Sequence, residues 1–107
     1  LKLGQLIEGK VLAVKPYGFF IDLGGASGLL HQSSLTNGNI RDLREVFVEG
    51  ELIKALITEI DRERGRIGLD TALLENSPGE LLIEKEKIMN EAYERAQKAQ
   101  ALFQGKD

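Results

Sequence analysis

The run Val14-Lys15-Pro16-Tyr17-Gly18-Phe19-Phe20-Ile21-Asp22-Leu23, followed by Gly28-Leu29-Leu30-His31-Gln32-Ser33, constrains this chain more than any other feature. It reads as two short β-strands joined by the glycine-rich turn Gly24-Gly25-Ala26-Ser27. Side chains alternate along a strand, so if Phe19, Ile21 and Leu23 point inward, Phe20 points outward. A large aromatic on the solvent face, with Tyr17 just before it and His31 on the next strand, suggests a platform on which bases stack. The plainer alternative is that another part of the chain covers Phe20.

The remaining strands follow from the same alternation. Gln5 to Lys15 reads as a first strand with Ile7, Val11 and Val14 as core candidates, and Gly9 as the point where a small barrel bends. Phe19–Leu23 and Gly28–His31 are the second and third strands, and Gln32–Leu35 a single helical turn. A long connection from Thr36 to Gly50 is anchored by Leu43, Val46 and Phe47. Glu51–Asp61 is the fourth strand, with Ile53, Ala55, Ile57 and Ile60 inward; after the tight turn Arg62–Gly65, Arg66–Thr71 is the fifth, with Ile67 and Leu69 inward. Five short strands with one long third-to-fourth connection predict an all-β, five-stranded antiparallel OB-fold barrel over residues 1–75, an SH3-like barrel being the structural rival. A helical extension fills residues 76–107. There Ser77-Pro78-Gly79-Glu80 looks like a helix start, with serine as N-cap, and one helix is expected as far as Phe103. Its thin stripe of Leu82, Met89, Ala96 and Phe103, with Ala92 and Ala99 between, is too poor for a coiled coil. It suits docking on a barrel or a neighbouring molecule, or a solvated linker.

Composition excludes more than it assigns. Without cysteine there is no disulfide framework and no thiolate chemistry, the usage of a reducing compartment. The lone histidine has no ligand partners at metal spacing, so no cofactor is expected. The glycine cluster joins strand to strand and lacks a phosphate-loop pattern; neither an enzyme nor a small-molecule substrate is indicated. No stretch is long and apolar enough to span a bilayer, so no membrane partner is expected. The chain opens at Leu1 and reads as a piece of a longer protein. A net charge of −3 is unusual for a nucleic-acid binder. The charges are uneven, however: Arg62, Arg64 and Arg66 cluster, while much of the acid lies in the last third.

Gly4-Gln5, Glu8-Gly9-Lys10-Val11, Lys15 to Leu23, Gly28 to Ser33, Val48-Glu49-Gly50 and Asp61 to Leu69 occur in an order that resembles the ribosomal protein S1 RNA-binding domain. The resemblance runs from Leu3 to about Thr71. Leu74 to Glu80 is similar to the segment after the last such domain in ribosomal S1 proteins of cyanobacteria and plastids. It implies a five-stranded OB-type barrel that binds single-stranded RNA, with Tyr17, Phe20, His31, Asp61 and Arg66 forming one surface. Asp61 would organise the following turn and orient Arg66. Lys10, Lys15, Lys54, Arg62 and Arg64 are candidate phosphate contacts. The resemblance further implies messenger RNA and small-ribosomal-subunit proteins as partners, and a ribosome-associated place in the cytoplasm or the plastid stroma. Gln32 departs from the family, which usually has an aliphatic residue there. Some S1 domains dock on protein rather than RNA, and the acidic balance keeps that alternative open.

Overall fold

A computed structural model describes residues 1–104, so residues 105–107 of the expected extension lie outside the described residues. Five strands form a closed barrel: β1 (Leu6–Lys15), β2 (Gly18–Asp22), β3 (Ser27–His31), β4 (Leu52–Asp61) and β5 (Arg66–Asp70), in the order β1-β2-β3-β5-β4. The OB-like barrel expected from the alternation is therefore present, with one refinement. Four pairings are antiparallel, whereas β3 and β5 run parallel through Leu29 and Gly68. A closed ring with an odd number of strands cannot alternate direction throughout, so one parallel pair is obligatory.

Strand β1 is long because it serves two neighbours: Leu6–Lys10 pairs with β4 and Lys10–Lys15 with β2. Gly9 sits at the crossing. A Cβ there would stand 2.6 Å from both the Asp22 carbonyl oxygen and Ile21 Cγ2, so only glycine lets the strand cross this closely. The interior holds Val11, Phe19, Ile21, Leu30, Ile53, Ala55, Ile57, Ile67 and Leu69, all buried. Ile7, Val14, Leu23 and Ile60, also expected inside, are only partly buried and pack against this core. The long connection is folded: Leu43, Val46 and Phe47 are buried, and the Phe47 ring meets Phe19 edge-on at 5.4 Å.

The tail corrects three expectations. It is not one helix but three short ones, α1 (Glu80–Ile83), α2 (Lys85–Asn90) and α3 (Ala92–Ala99), followed by a 3₁₀ turn at Gln100–Phe103. A straight helix from Ser77 to Phe103 would be about 40 Å long at 1.5 Å per residue. The chain instead bends at Glu84 and Glu91 and stays on the barrel, within a molecule whose longest dimension is 33 Å. The N-cap of α1 is Gly79, at φ 88°, not Ser77; the Glu80 carboxylate reaches back to the Asn76 N–H at 2.7 Å. The buried face is Leu81, Ile88, Ala92, Arg95, Ala96 and Ala99; it keeps Ala92, Ala96 and Ala99 of the expected stripe but runs through Leu81 and Ile88, one residue before Leu82 and Met89.

This face lies against β1 and β4, and it explains why Leu56 is fully buried although it points away from the barrel interior. Three polar anchors hold the tail. Lys85 Nζ bonds Glu51 (2.8 Å) and the Val46 carbonyl (2.8 Å) and lies 5.2 Å from the Phe47 ring centroid. Glu75 accepts from Thr36 Oγ1, the Asn37 N–H and the Leu81 N–H. Arg95, 5% exposed, places all five of its N–H donors: two on Glu80, two on Glu91 and one on the Leu74 carbonyl.

Candidate nucleic-acid interface

The pairing registers align a row of residues across the barrel's outer surface. Phe20 faces Leu29, Leu29 faces Gly68 and Gly68 faces Glu59. Leu29 and the side-chain-free Gly68 form the floor of an open groove of about 510 Å³, with Phe20 on one wall and Glu59 on the other. Tyr17, His31 and Ser34 line one end, and Ser27, Gly65 and Arg66 the other. His31 lies two residues beyond this row and Arg66 two residues before it, on parallel strands, so about 13 Å of strand separates them.

Gly18 fixes the aromatic end. Its φ is 155°, and a Cβ there would fall 2.4 Å from the Leu30 carbonyl oxygen and 2.9 Å from His31 Cα. The start of β2 is therefore pressed against the end of β3, and the Gln32 N–H bonds the Tyr17 carbonyl at 2.8 Å. Tyr17 (41% exposed) and the partly buried Phe20 meet with ring centroids 6.2 Å apart and planes at 90°. An edge-to-face contact occupies at most one face of one ring, so a π-face stays free to receive a planar group.

His31 is oriented by its own chain. The Ser33 N–H can only donate, and it points at His31 Nδ1 from 3.1 Å, while Ser33 Oγ lies 2.8 Å from the same nitrogen. Nδ1 is thus the acceptor, and the neutral ring carries its proton on Nε2 as an outward donor. Gln32, the residue between them, is exposed and does not disturb this cap.

Of the residues singled out from sequence, Tyr17, Phe20, His31 and Arg66 line this one groove. Asp61 is opposite Arg66 in the ladder, but its carboxylate accepts from the Arg64 N–H at 3.1 Å and lies 3.8 Å from the Arg64 guanidinium. It ties down the turn. Arg64 is largely exposed, while Arg62 lines an adjoining hollow with Leu1, Lys2 and Leu3 that shares Thr58 and Glu59 with the groove. Lys15 belongs to a third hollow with Arg41 and Arg44, and Lys10 is exposed on β1 opposite Asp22. Lys54 points toward the tail, where Nζ donates to the Met89 carbonyl at 3.2 Å. Leu29, Gly68 and Glu59 were not singled out from sequence. The consecutive apolar pair Leu56-Ile57 breaks the alternation just before Thr58-Glu59, and that was the available signal of a bulge. Among the described residues no cluster of three or more His, Asp or Glu side chains gathers as for a metal ion.

A five-stranded barrel with aromatic, imidazole and guanidinium groups in one outer groove defines a class, and residues 1–72 match the family described as the S1 RNA binding domain. The chain belongs to that family. It is 42% identical over 99 residues to small ribosomal subunit protein bS1 of Synechococcus elongatus, covering 92% of this chain and 34% of that protein. It is 40% identical over 97 residues to bS1c of Spinacia oleracea, covering 91% and 24%. The chain thus spans about a third of the first of these relatives and less of the second. Among solved structures, the a/eIF2alpha-aDim2p-rRNA complex from Pyrococcus horikoshii aligns with a TM-score of 0.68 at 24% identity, covering 96% of this chain and 59% of that one. At that identity the likeness is one of fold, and it extends through the tail.

Proposed function

We propose that this chain is a single-stranded RNA-binding module of a ribosomal S1-like protein, holding messenger RNA at the small ribosomal subunit in the cytoplasm or the plastid stroma. The observation that carries this is the convergence of Tyr17, Phe20, His31 and Arg66 on one groove. Bases stack on Tyr17 and Phe20, His31 Nε2–H donates to a base or ribose oxygen, and Arg66 neutralises phosphate. Arg62, whose hollow adjoins the groove at Thr58 and Glu59, and the exposed Arg64 are further cations for the strand as it leaves the groove. Lys10 and Lys15 meet only RNA that runs on past the groove, and Lys54 contributes only if it leaves Met89. Asp61 acts through the turn that presents Arg64 and Arg66.

Stacking contributes roughly 1–3 kcal/mol per base. Two aromatics and one or two phosphate contacts give modest, salt-sensitive affinity, so tight binding requires several such modules in tandem. The test is to titrate the ¹⁵N-labelled chain with a short single-stranded RNA. Amide shifts concentrated at Gly18, Phe20, Leu29, His31 and Gly68 support the reading. Shifts confined to α2 and α3, or none, overturn it. A second reading, docking on a small-subunit protein, is favoured by the net charge of −3 and by the exposed pair Leu82 and Ile83 on α1. It predicts shifts at that pair with ribosomal protein and none with RNA.

A further inference from the structure

A carboxylate stands in this groove, where a polyanion is to pass. Strand β4 carries a bulge between Ile57 and Glu59, where Ile57 pairs with Leu69 and Glu59 with Gly68. Ile57 faces inward, so simple alternation would turn Glu59 inward too; the extra residue, Thr58, delivers it to the outer face. There the bare backbone of Gly68 makes room: a Cβ on Gly68 would lie 2.9 Å from Glu59 Cβ and 3.1 Å from Glu59 Oε1. The carboxylate therefore lies across β5 toward the groove floor. Among the described residues it forms no ion pair.

An ionised carboxylate repels phosphate and accepts hydrogen bonds only. The donors RNA offers it are the ribose 2′-OH, which every nucleotide presents alike, and N–H groups on a base edge, which alone can make it choose between bases. The bases differ there. Guanine offers two adjacent donors, N1–H and N2–H, which match two carboxylate oxygens. Adenine and cytosine each set one donor beside an acceptor, and uracil sets one donor between two acceptors. We propose that Glu59 is a specificity-determining residue that selects guanine, accepting N1–H and N2–H of a base whose face rests on Phe20 across the groove. The inference rests on the RNA-binding reading and adds base choice to it.

The test is an anisotropy titration, at one fixed salt concentration, of short uridine oligonucleotides carrying a single central guanosine, adenosine, cytidine or uridine. A good bidentate contact is worth about tenfold in discrimination, so the unmodified chain should prefer guanosine by about that factor. E59Q, which exchanges one acceptor for a donor, should lose that preference and shift it toward adenosine and cytidine, with the far-ultraviolet dichroism unchanged. Equal affinity of the unmodified chain for all four, or an E59Q variant that keeps the guanosine preference, overturns the proposal while RNA binding stands. A uniform gain for all four oligonucleotides in E59A, with no change in their ranking, also overturns it and leaves Glu59 as a mere phosphate repellent. No binding to any of the four overturns the RNA reading and this inference together.

Discussion

Arg95→Met removes the guanidinium that fastens the tail while leaving an apolar side chain of similar length. Five hydrogen bonds disappear, and Glu80, 8% exposed, keeps only the Asn76 N–H. Breaking a buried pair from one side costs about 3–5 kcal/mol, because the remaining charge is desolvated without compensation. The pH dependence gives an independent measure. Hydrogen bonds from Arg95, and then from the Asn76 N–H, hold the Glu80 carboxyl down to about 2 from an ordinary value of 4.5. A depressed carboxyl contributes stability that is fully present above the unfolded value and is lost as pH falls through the folded one. That contribution is about 3 kcal/mol at pH 7 and about 1.4 kcal/mol at pH 3. Urea unfolding of both proteins should therefore show a gap of about 3 kcal/mol or more at pH 7 that narrows by about 2 kcal/mol at pH 3. A loss below about 1 kcal/mol at pH 7, the level of an exposed pair, or a gap that does not change with pH, would refute the buried-latch argument.

Three further expectations test the scaffold. Gly18→Ala should cost at least about 2 kcal/mol in urea unfolding, since the new Cβ meets backbone on β3 that cannot yield; a change under about 0.5 kcal/mol would mean that the two strands separate easily. Lys85→Met and Glu51→Gln should each lose about 1–2 kcal/mol and together less than their sum, because they share one bond; strict additivity would show the pair to be uncoupled. Burial raises the Asp70 carboxyl above its usual range, outweighing the hydrogen bonds it accepts from Leu73 and Ala72. A raised carboxyl opposes folding once pH exceeds its unfolded value. Asp70→Asn should therefore stabilise the protein at pH 7 and lose that advantage in acid, and a thermal melt showing destabilisation at pH 7 would contradict this.

The barrel was legible because its strands bury one face: Phe19-Phe20-Ile21 announces which side each ring takes, and Ile53-Lys54-Ala55 does the same on β4. Alternation could not reveal the parallel closure of β3 on β5, which depends on which strand edges meet. The groove was half legible. Its aromatic wall and Arg66 stand out as residue types, whereas its floor is Gly68, a missing side chain, and its far wall depends on the bulge at Thr58. The tail was misread by one residue: the buried row is Leu81, Ile88 and Arg95, one position before Leu82, Met89 and Ala96, and its charged third member hides it. Arg95 falls in register with Leu81 and Ile88, but a charged residue reads as solvated unless its partner is known. Glu91, one helical turn away, was a visible partner; Glu80, fifteen residues back, became one only when the chain bent at Glu84.

The most direct measurement is a fluorescence-anisotropy titration of a labelled single-stranded RNA at low and moderate salt, comparing this chain with a folded Phe20→Ala, His31→Ala double variant. Binding that weakens with salt and falls in the variant by about tenfold or more, the equivalent of roughly one lost stacking contact, is the predicted result. Equal binding by both proteins, or no binding by either, would contradict the claim that the β2–β3–β5 groove is where RNA is held.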